Sequence, residues 1–103
     1  MEKNIKYSIY IGLLQKDMKT ELNTDKTIKL ISIKFKKIGI IGFNCDKIKG
    51  YWNRKPEPAL KISFINNFGV KTKDILKVLE NLKVELEQES ILIEQEQVLY
   101  NFV

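Results

Sequence analysis

Two different periodicities of apolar residues alternate along this chain, and their order limits the folds that it can adopt. From Ile5 to Leu13, apolar side chains occupy every second position, which is typical of a β-strand with one buried face. From Thr72 to about Gln88, they recur every three or four positions behind the N-cap residue Thr72, which predicts an amphipathic helix. Its buried stripe consists of Ile75, Leu79, Leu82 and Leu86, widened by Leu76 and Val78.

The segment from Leu22 to Ile38 fits both periodicities, and we interpret it as a helix. Alternating apolar and polar residues between Ile31 and Lys36 would also suit a strand. However, Asn23 or Thr24 can cap a helix, the segment is long, and Gly39 can end it, which favours the helix. The apolar residues at helical spacing are Ile28, Ile31, Phe35 and Ile38.

Three further segments are rich in β-forming residues. Ile40–Trp52 and Ala59–Ile65 predict two strands, and Asn53–Pro58, which holds both prolines, predicts the loop between them. Ser90–Val103 predicts a last β segment, but its apolar positions change face midway. Because a one-residue slip exchanges the faces of a sheet, we expect a bulge or bend near Glu94–Gln97, or two short strands.

The order of these segments is β-α-β-β-α-β, which predicts a single ferredoxin-like α+β domain over residues 1–103. Two right-handed crossovers would place both helices on one face of an antiparallel sheet. The first and third strands would be central neighbours, and the last strand would be irregular or extended. The other face of the sheet would stay open unless a partner covers it.

The composition excludes several kinds of site. The chain has no histidine and one cysteine, Cys45, so histidine-based acid–base catalysis, Cys/His zinc sites and an internal disulfide are impossible. We predict no catalytic residues, no metal and no cofactor, and we expect binding rather than enzymatic activity. No apolar run approaches the ~20 residues of a membrane span, and the N-terminus lacks a secretion signal. The expected location is the cytoplasm.

The net charge of +5 allows two interpretations. Seventeen of the eighteen basic residues are lysines, spread along the chain among thirteen acidic residues, which is typical of a solvated surface. Arginine, which reads phosphate and guanine through two-point contacts, occurs once, as Arg54. We therefore favour general solubility over nucleic-acid binding, which stays an alternative.

Three polar stretches interrupt the apolar pattern and would meet at one end of the predicted sheet. They are Gln15–Lys19, Gly50–Pro58 and Glu87–Ser90. The predicted ligand-binding residues within them are Lys16, Asp17, Trp52, Arg54, Gln88, Glu89 and Ser90. A tryptophan offers a flat apolar wall, and the two cations offer anion contacts, so the expected ligand is small, anionic and nucleotide-like. The alternative is that polar loops simply cluster at the end of a sheet.

The open sheet face and the last segment carry apolar side chains that a partner could cover. The predicted interface residues are Tyr10, Ile65, Val98, Tyr100 and Phe102. Since exposed apolar patches mark interfaces, we expect a homo-oligomer. A single tyrosine on the central strands is no stacking platform for RNA, so an RRM-type surface is not favoured.

Four short motifs resemble, in the same order, a group of small phage and prophage proteins. They are Ile9–Leu13, Lys16–Asp17, Lys49–Trp52 and Gln88–Glu94. The resemblance implies a phage or mobile-element origin and no established enzyme activity. Because small phage proteins of this kind often counteract host defences, it also implies a counter-defence role in the host cell.

These observations predict a small non-enzymatic binding protein of phage type. It would act in counter-defence by holding a nucleotide-like ligand or a host defence protein. The alternative is an RNA- or DNA-binding inhibitor or accessory of an RNA-guided system. A third hypothesis is a carboxylate-dependent enzyme that uses Asp17 or Glu89.

Overall fold

The computed structural model describes the whole chain except Asn53 and the side chain of Trp52. Its elements are β1 (Glu2–Gly12), α1 (Thr24–Lys37), β2 (Asn44–Trp52), β3 (Lys55–Ile65), α2 (Thr72–Glu85) and β4 (Leu92–Tyr100). The four strands form one antiparallel sheet in the order β2-β3-β1-β4. This arrangement confirms the predicted ferredoxin-like α+β fold. Neither of the two described helices is long and apolar enough to cross a membrane.

The core lies between the sheet and both helices, with β1 at its centre. Tyr7, Ile9 and Ile11 of β1 are fully buried, and Ile9 pairs with the equally buried Ile62 of β3. The buried side chains of the helices are Thr27, Ile31 and Phe35 in α1 and Ile75, Val78, Leu79 and Leu82 in α2. The apolar residues among them belong to one cluster with the strand residues. Both helices therefore pack on the same face of the sheet, as predicted.

A side-chain cap starts α1, whereas α2 starts without one. The Asn23 side chain accepts a hydrogen bond from the Lys26 amide at 2.9 Å, as a helix N-cap does. The prediction that Thr72 caps α2 is wrong, because Lys71 is the N-cap residue and its side chain makes no capping bond. The Thr72 hydroxyl instead lies 2.5 Å from the Tyr7 hydroxyl. This contact gives the buried tyrosine the partner that a buried polar group requires.

The strand β2 begins at Asn44, four residues later than the predicted start at Ile40. The intervening segment completes the end of α1 instead of pairing with β3. The Ile40 amide donates to the Phe35 carbonyl at 2.9 Å, and the Ile40 side chain is buried. Gly39 has a φ angle of +99°, which lets the chain reverse directly after the helix.

The strand β3 begins at Lys55 and runs through both prolines. The predicted loop Asn53–Pro58 is therefore wrong, although Asn53 itself lies outside the described residues. The Pro58 carbonyl accepts a hydrogen bond from the Leu13 amide at 2.8 Å, so the backbone of Pro58 faces β1 and not β2. A proline at this position removes no hydrogen bond from the β2 ladder.

The strand β4 is continuous, so the bulge predicted near Glu94–Gln97 is wrong. Residues Leu92–Tyr100 pair one after another with β1. The change of apolar face is nevertheless real, since Ile93 lies on the helix side of the sheet and Val98 on the open side. Leu99 also lies on the helix side, yet it is 61% exposed. Because the helices leave this end of β4 uncovered, a regular strand can carry apolar residues on both faces.

Candidate functional site

A cleft of about 330 Å³ opens at the end of the sheet where β1 ends at Gly12, and we call it the Gly12 cleft. Tyr10 and Gly12 of β1, Glu57 of β3, the loop after β1 and the turn after α2 line it. These segments meet because, in an antiparallel sheet, β1 ends where β3 and β4 begin.

Gly12 leaves room for two side-chain oxygens at the centre of this cleft. A Cβ atom on residue 12 would overlap Glu57 Oε1 and would lie 3.0 Å from Gln88 Oε1. The backbone of Gly12 is not left-handed, so the missing side chain provides space rather than conformational freedom. Two hydrogen-bond acceptors therefore converge on one small volume.

The orientation of the Gln88 amide is determined by its hydrogen bonds. The side chain is buried, and its Nε2 donates to the Leu14 carbonyl at 2.8 Å and to the Leu86 carbonyl at 3.2 Å. Since only the amide nitrogen can donate to a carbonyl, the amide oxygen is the atom that faces Gly12. The helix α2 ends at Glu85, earlier than the predicted Gln88, and a φ angle of +50° at Glu87 turns the chain toward the cleft.

The loop from Gln15 to Thr20 forms one wall of the cleft and is held by Asp17. Asp17 Oδ1 accepts hydrogen bonds from the Lys19 and Thr20 amides, and Oδ2 accepts one from the Thr20 hydroxyl. These bonds, the hydroxyl bond first, hold the pKa of Asp17 below its ordinary value. Met18, which lines the cleft, has a φ angle of +59°. Asp17 thus shapes the loop and does not line the cleft.

The lining of the cleft combines an aliphatic wall with charged residues of net negative charge. Its aliphatic wall consists of Ile48, Ala59 and Leu92. The charged lining residues are Lys16, Glu57 and Glu89, so two carboxylates stand against one ammonium group. Such a lining favours a ligand that donates hydrogen bonds or carries positive charge.

The structure brings together four of the predicted ligand-binding residues. Lys16, Gln88, Glu89 and Ser90 line the Gly12 cleft. Arg54 is exposed at the β2–β3 turn with a φ angle of +64° and is not part of the lining. The side chain of Trp52 lies outside the part of the chain that the structure describes, so its predicted role stays a prediction.

Sequence reasoning missed the residues at the centre of the cleft. Glu57 lies inside one of the three polar stretches, but its position between two prolines suggested a loop. The sequence could have indicated the importance of Gly12, because a glycine inside an alternating strand often marks a place where other atoms approach the backbone closely. Tyr10 also lines the cleft, and Lys61 Nζ lies 5.8 Å from the centre of its ring, at cation–π distance.

The predicted interface residues fall in two places. Ile65, Val98 and Phe102 line a groove of about 540 Å³ at the opposite end of the sheet, which we call the C-terminal groove. Tyr100 packs edge-to-face on Phe102, with ring centroids 5.6 Å apart. Tyr10 lies at the other end of the sheet, in the Gly12 cleft.

No family model and no curated protein sequence matches the chain. Among solved structures, a phage SAM lyase in its apo state has a TM-score of 0.74 at 18% identity, covering 94% of this chain and 86% of that one. A phage SAM lyase in complex with S-methyl-5'-thioadenosine gives 0.70 at 18% identity, covering 90% and 80%. CPII, a PII-like protein from Thiomonas intermedia K12 bound to ADP, AMP and bicarbonate, gives 0.54 at 13% identity, covering 98% of each chain. These similarities show a shared fold.

We expect Thr20→Val to raise the pKa of Asp17 toward its ordinary value, because the Thr20 hydroxyl contributes most to lowering it. A carboxylate whose pKa is lowered by folding stabilises the folded loop above the unfolded pKa. That contribution is lost as the pH falls below about 4 and through the folded value. An NMR titration of the Asp17 carboxyl carbon measures the shift. Thr20→Ser keeps a hydroxyl and should keep the low pKa, and equal values in both variants would contradict this assignment.

Proposed function

We propose that the chain is a small phage-type protein that binds S-adenosylmethionine, a sulfonium nucleoside, in the Gly12 cleft. The observation that carries the proposal is the convergence of Glu57 Oε1 and Gln88 Oε1 over Gly12. Neither oxygen is a buried atom without a partner, so both are accessible to a ligand, and both can only accept hydrogen bonds. The α-ammonium group of this ligand supplies three N–H donors and a positive charge.

The charge of the lining supports a cationic ligand over the anionic one expected from the sequence. A nucleotide phosphate would find one lysine, Lys16, and would be repelled by Glu57 and Glu89. A positively charged sulfonium group would instead be attracted by the two glutamates and repelled by the lysine. The aliphatic wall and the exposed ring of Tyr51 offer apolar surface for an adenine ring.

The structural neighbours support a nucleoside as the ligand. One phage SAM lyase holds S-methyl-5'-thioadenosine, and CPII holds ADP and AMP, on folds of the same architecture. The sequence resemblance to phage proteins agrees with the phage origin of the SAM lyase neighbours. Holding or consuming the methyl donor of host methylation would be a counter-defence activity of the kind that the resemblance implies.

Substitution of Gly12 tests the site. We expect Gly12→Ala to weaken S-adenosylmethionine binding at least about 10-fold, the effect of one lost charge-assisted hydrogen bond. The new methyl group displaces the Glu57 carboxylate, which is the end of a flexible side chain, so the variant should still fold. Isothermal titration calorimetry measures the affinity.

Gly50→Ala is the matched control in the same cleft. Its added Cβ would lie 3.7 Å from the Glu57 carbonyl oxygen, an ordinary contact, so binding should change by less than about 3-fold. Equal affinities of the wild type and Gly12→Ala would place the ligand elsewhere. Absence of binding by the wild-type protein would reject the proposed function.

A second candidate function is cleavage of the bound ligand. Adjacent acceptors at Glu57 and Gln88 can hold the α-ammonium group and so orient the aminobutyryl chain. The carboxylate oxygen of the ligand would then attack its own γ-carbon. A C–O bond forms, the C–S bond breaks, and its electron pair neutralises the sulfonium. The products are S-methyl-5'-thioadenosine and homoserine lactone. No proton is transferred, which suits a chain without histidine.

Product analysis by liquid chromatography and mass spectrometry tests this reaction. We expect Glu57→Gln to slow formation of S-methyl-5'-thioadenosine at least about 10-fold, because it removes an orienting charge. Glu89→Gln removes the other carboxylate of the lining and should have a smaller effect. Equal rates in both variants would reject the role of Glu57, and binding without product would reject cleavage. The same assay on extracts of cells that express the chain tests the counter-defence role through loss of S-adenosylmethionine.

We also propose that copies of the chain associate through the C-terminal groove. Leu99 and Phe102 leave 61% and 73% of their surfaces exposed there, and exposed apolar surface of this kind favours association.

Light scattering should give a multiple of the 12.1 kDa chain mass. Phe102→Glu should reduce it to one chain. Val84→Glu, at an equally exposed position on α2, should not, and a wild-type monomer would overturn the proposal.

A further inference from the structure

The positive charge of the protein is concentrated on one helix. The helix α1 holds five lysines and one aspartate, so it carries a net charge of +4 out of the total of +5. The lysines therefore do not form the evenly mixed surface that their spread along the sequence predicts. The sequence of this segment supplies the charge, and the packing of α1 leaves one of its sides exposed to solvent.

Four of these lysines share one side of α1. At about 100° per residue, Lys26, Lys29, Lys36 and Lys37 fall within an arc about 100° wide. All four are exposed, and the arc lies opposite the buried side chains of Thr27, Ile31 and Phe35. We call these four residues the α1 lysine face.

The four lysines of the α1 lysine face form no ion pair within the described part of the chain. The ion pairs in the described part of the chain are Lys34–Glu85 at 3.4 Å and Lys83–Glu80 at 3.2 Å, and neither includes one of the four. The only acidic residue of α1 is Asp25, in its first turn. Four positive charges thus stand together beside one carboxylate, Asp25, and such a net positive patch attracts a polyanion.

We propose that the α1 lysine face binds the phosphate backbone of duplex nucleic acid without reading its sequence. Lys26 and Lys37 lie about 16 Å apart along the helix axis, at 1.5 Å per residue. This span exceeds the ~12 Å width of the major groove of B-DNA, so the face can contact phosphates on both strands. Lysines act as point charges on phosphate, and α1 has no arginine, asparagine or glutamine for planar two-point contacts with bases.

Two other polyanionic partners fit the face less well. A single strand would need exposed aromatic side chains for stacking, and the one aromatic residue of α1, Phe35, is buried. An anionic membrane would need a free apolar side of the helix to insert between lipids. The apolar side of α1 is already packed against the sheet.

The salt dependence of binding tests the proposal. The probe is a fluorescent 20-base-pair DNA duplex of mixed sequence, titrated by anisotropy between 50 and 200 mM salt. Four phosphate contacts predict a slope of log K against log salt near −3.6, or about a 100-fold loss of affinity over this range. The double variant Lys29→Gln and Lys36→Gln should make the slope less negative by about 1.8.

The control is a second double variant that also removes two positive charges, but from another part of the protein. Lys3→Gln with Lys55→Gln removes two exposed lysines from β1 and β3, and its slope should stay within about 0.5 of the wild type. Circular dichroism shows whether both double variants fold. Equal losses in the two double variants would show that only net charge matters and would overturn the proposal. So would an absence of duplex binding at 50 mM salt, or tighter binding to vesicles of phosphatidylserine than to the duplex.

Discussion

The rest of the structure depends on the pairing of β1 with strands on both of its edges. Its alternate residues Tyr7, Ile9 and Ile11 are fully buried under both helices, and its backbone is bonded to β3 on one edge and to β4 on the other. Burial of three large side chains is worth several kcal/mol in total, so this strand anchors both helices and both neighbouring strands. The place where it ends, at Gly12, is also the place where the cleft opens.

The chemistry of the cleft follows from two oxygens that converge over Gly12. Hydrogen bonds to the Leu14 and Leu86 carbonyls orient the Gln88 amide, and the missing side chain of Gly12 makes room for the Glu57 carboxylate. The Gln88 amide cannot turn without losing its two hydrogen bonds, and a carboxylate has no donor in any orientation, so neither group suits an anion. A ligand that we propose for this site would therefore be recognised by its donors and positive charge, and the apolar walls would add contact area without charge selectivity.

The domain separates its charges in space. The Gly12 cleft has two carboxylates against Lys16, whereas α1 carries almost the whole net charge on its solvent side. The buried core lies between the sheet and this helix, and none of the four lysines of the α1 lysine face lines the cleft. The two proposed binding surfaces therefore share no lysine.

The sequence alone determined the order of elements, the buried faces of β1 and both helices, and four residues of the cleft. These follow from periodicity and chain order, which are local properties. The tertiary structure decided that Pro58 belongs to a strand, because only the neighbouring Leu13 shows which way its backbone faces. It also decided that Glu57 and Gln88 meet over Gly12. Contacts between residues far apart in the chain create these features, and no local pattern encodes them.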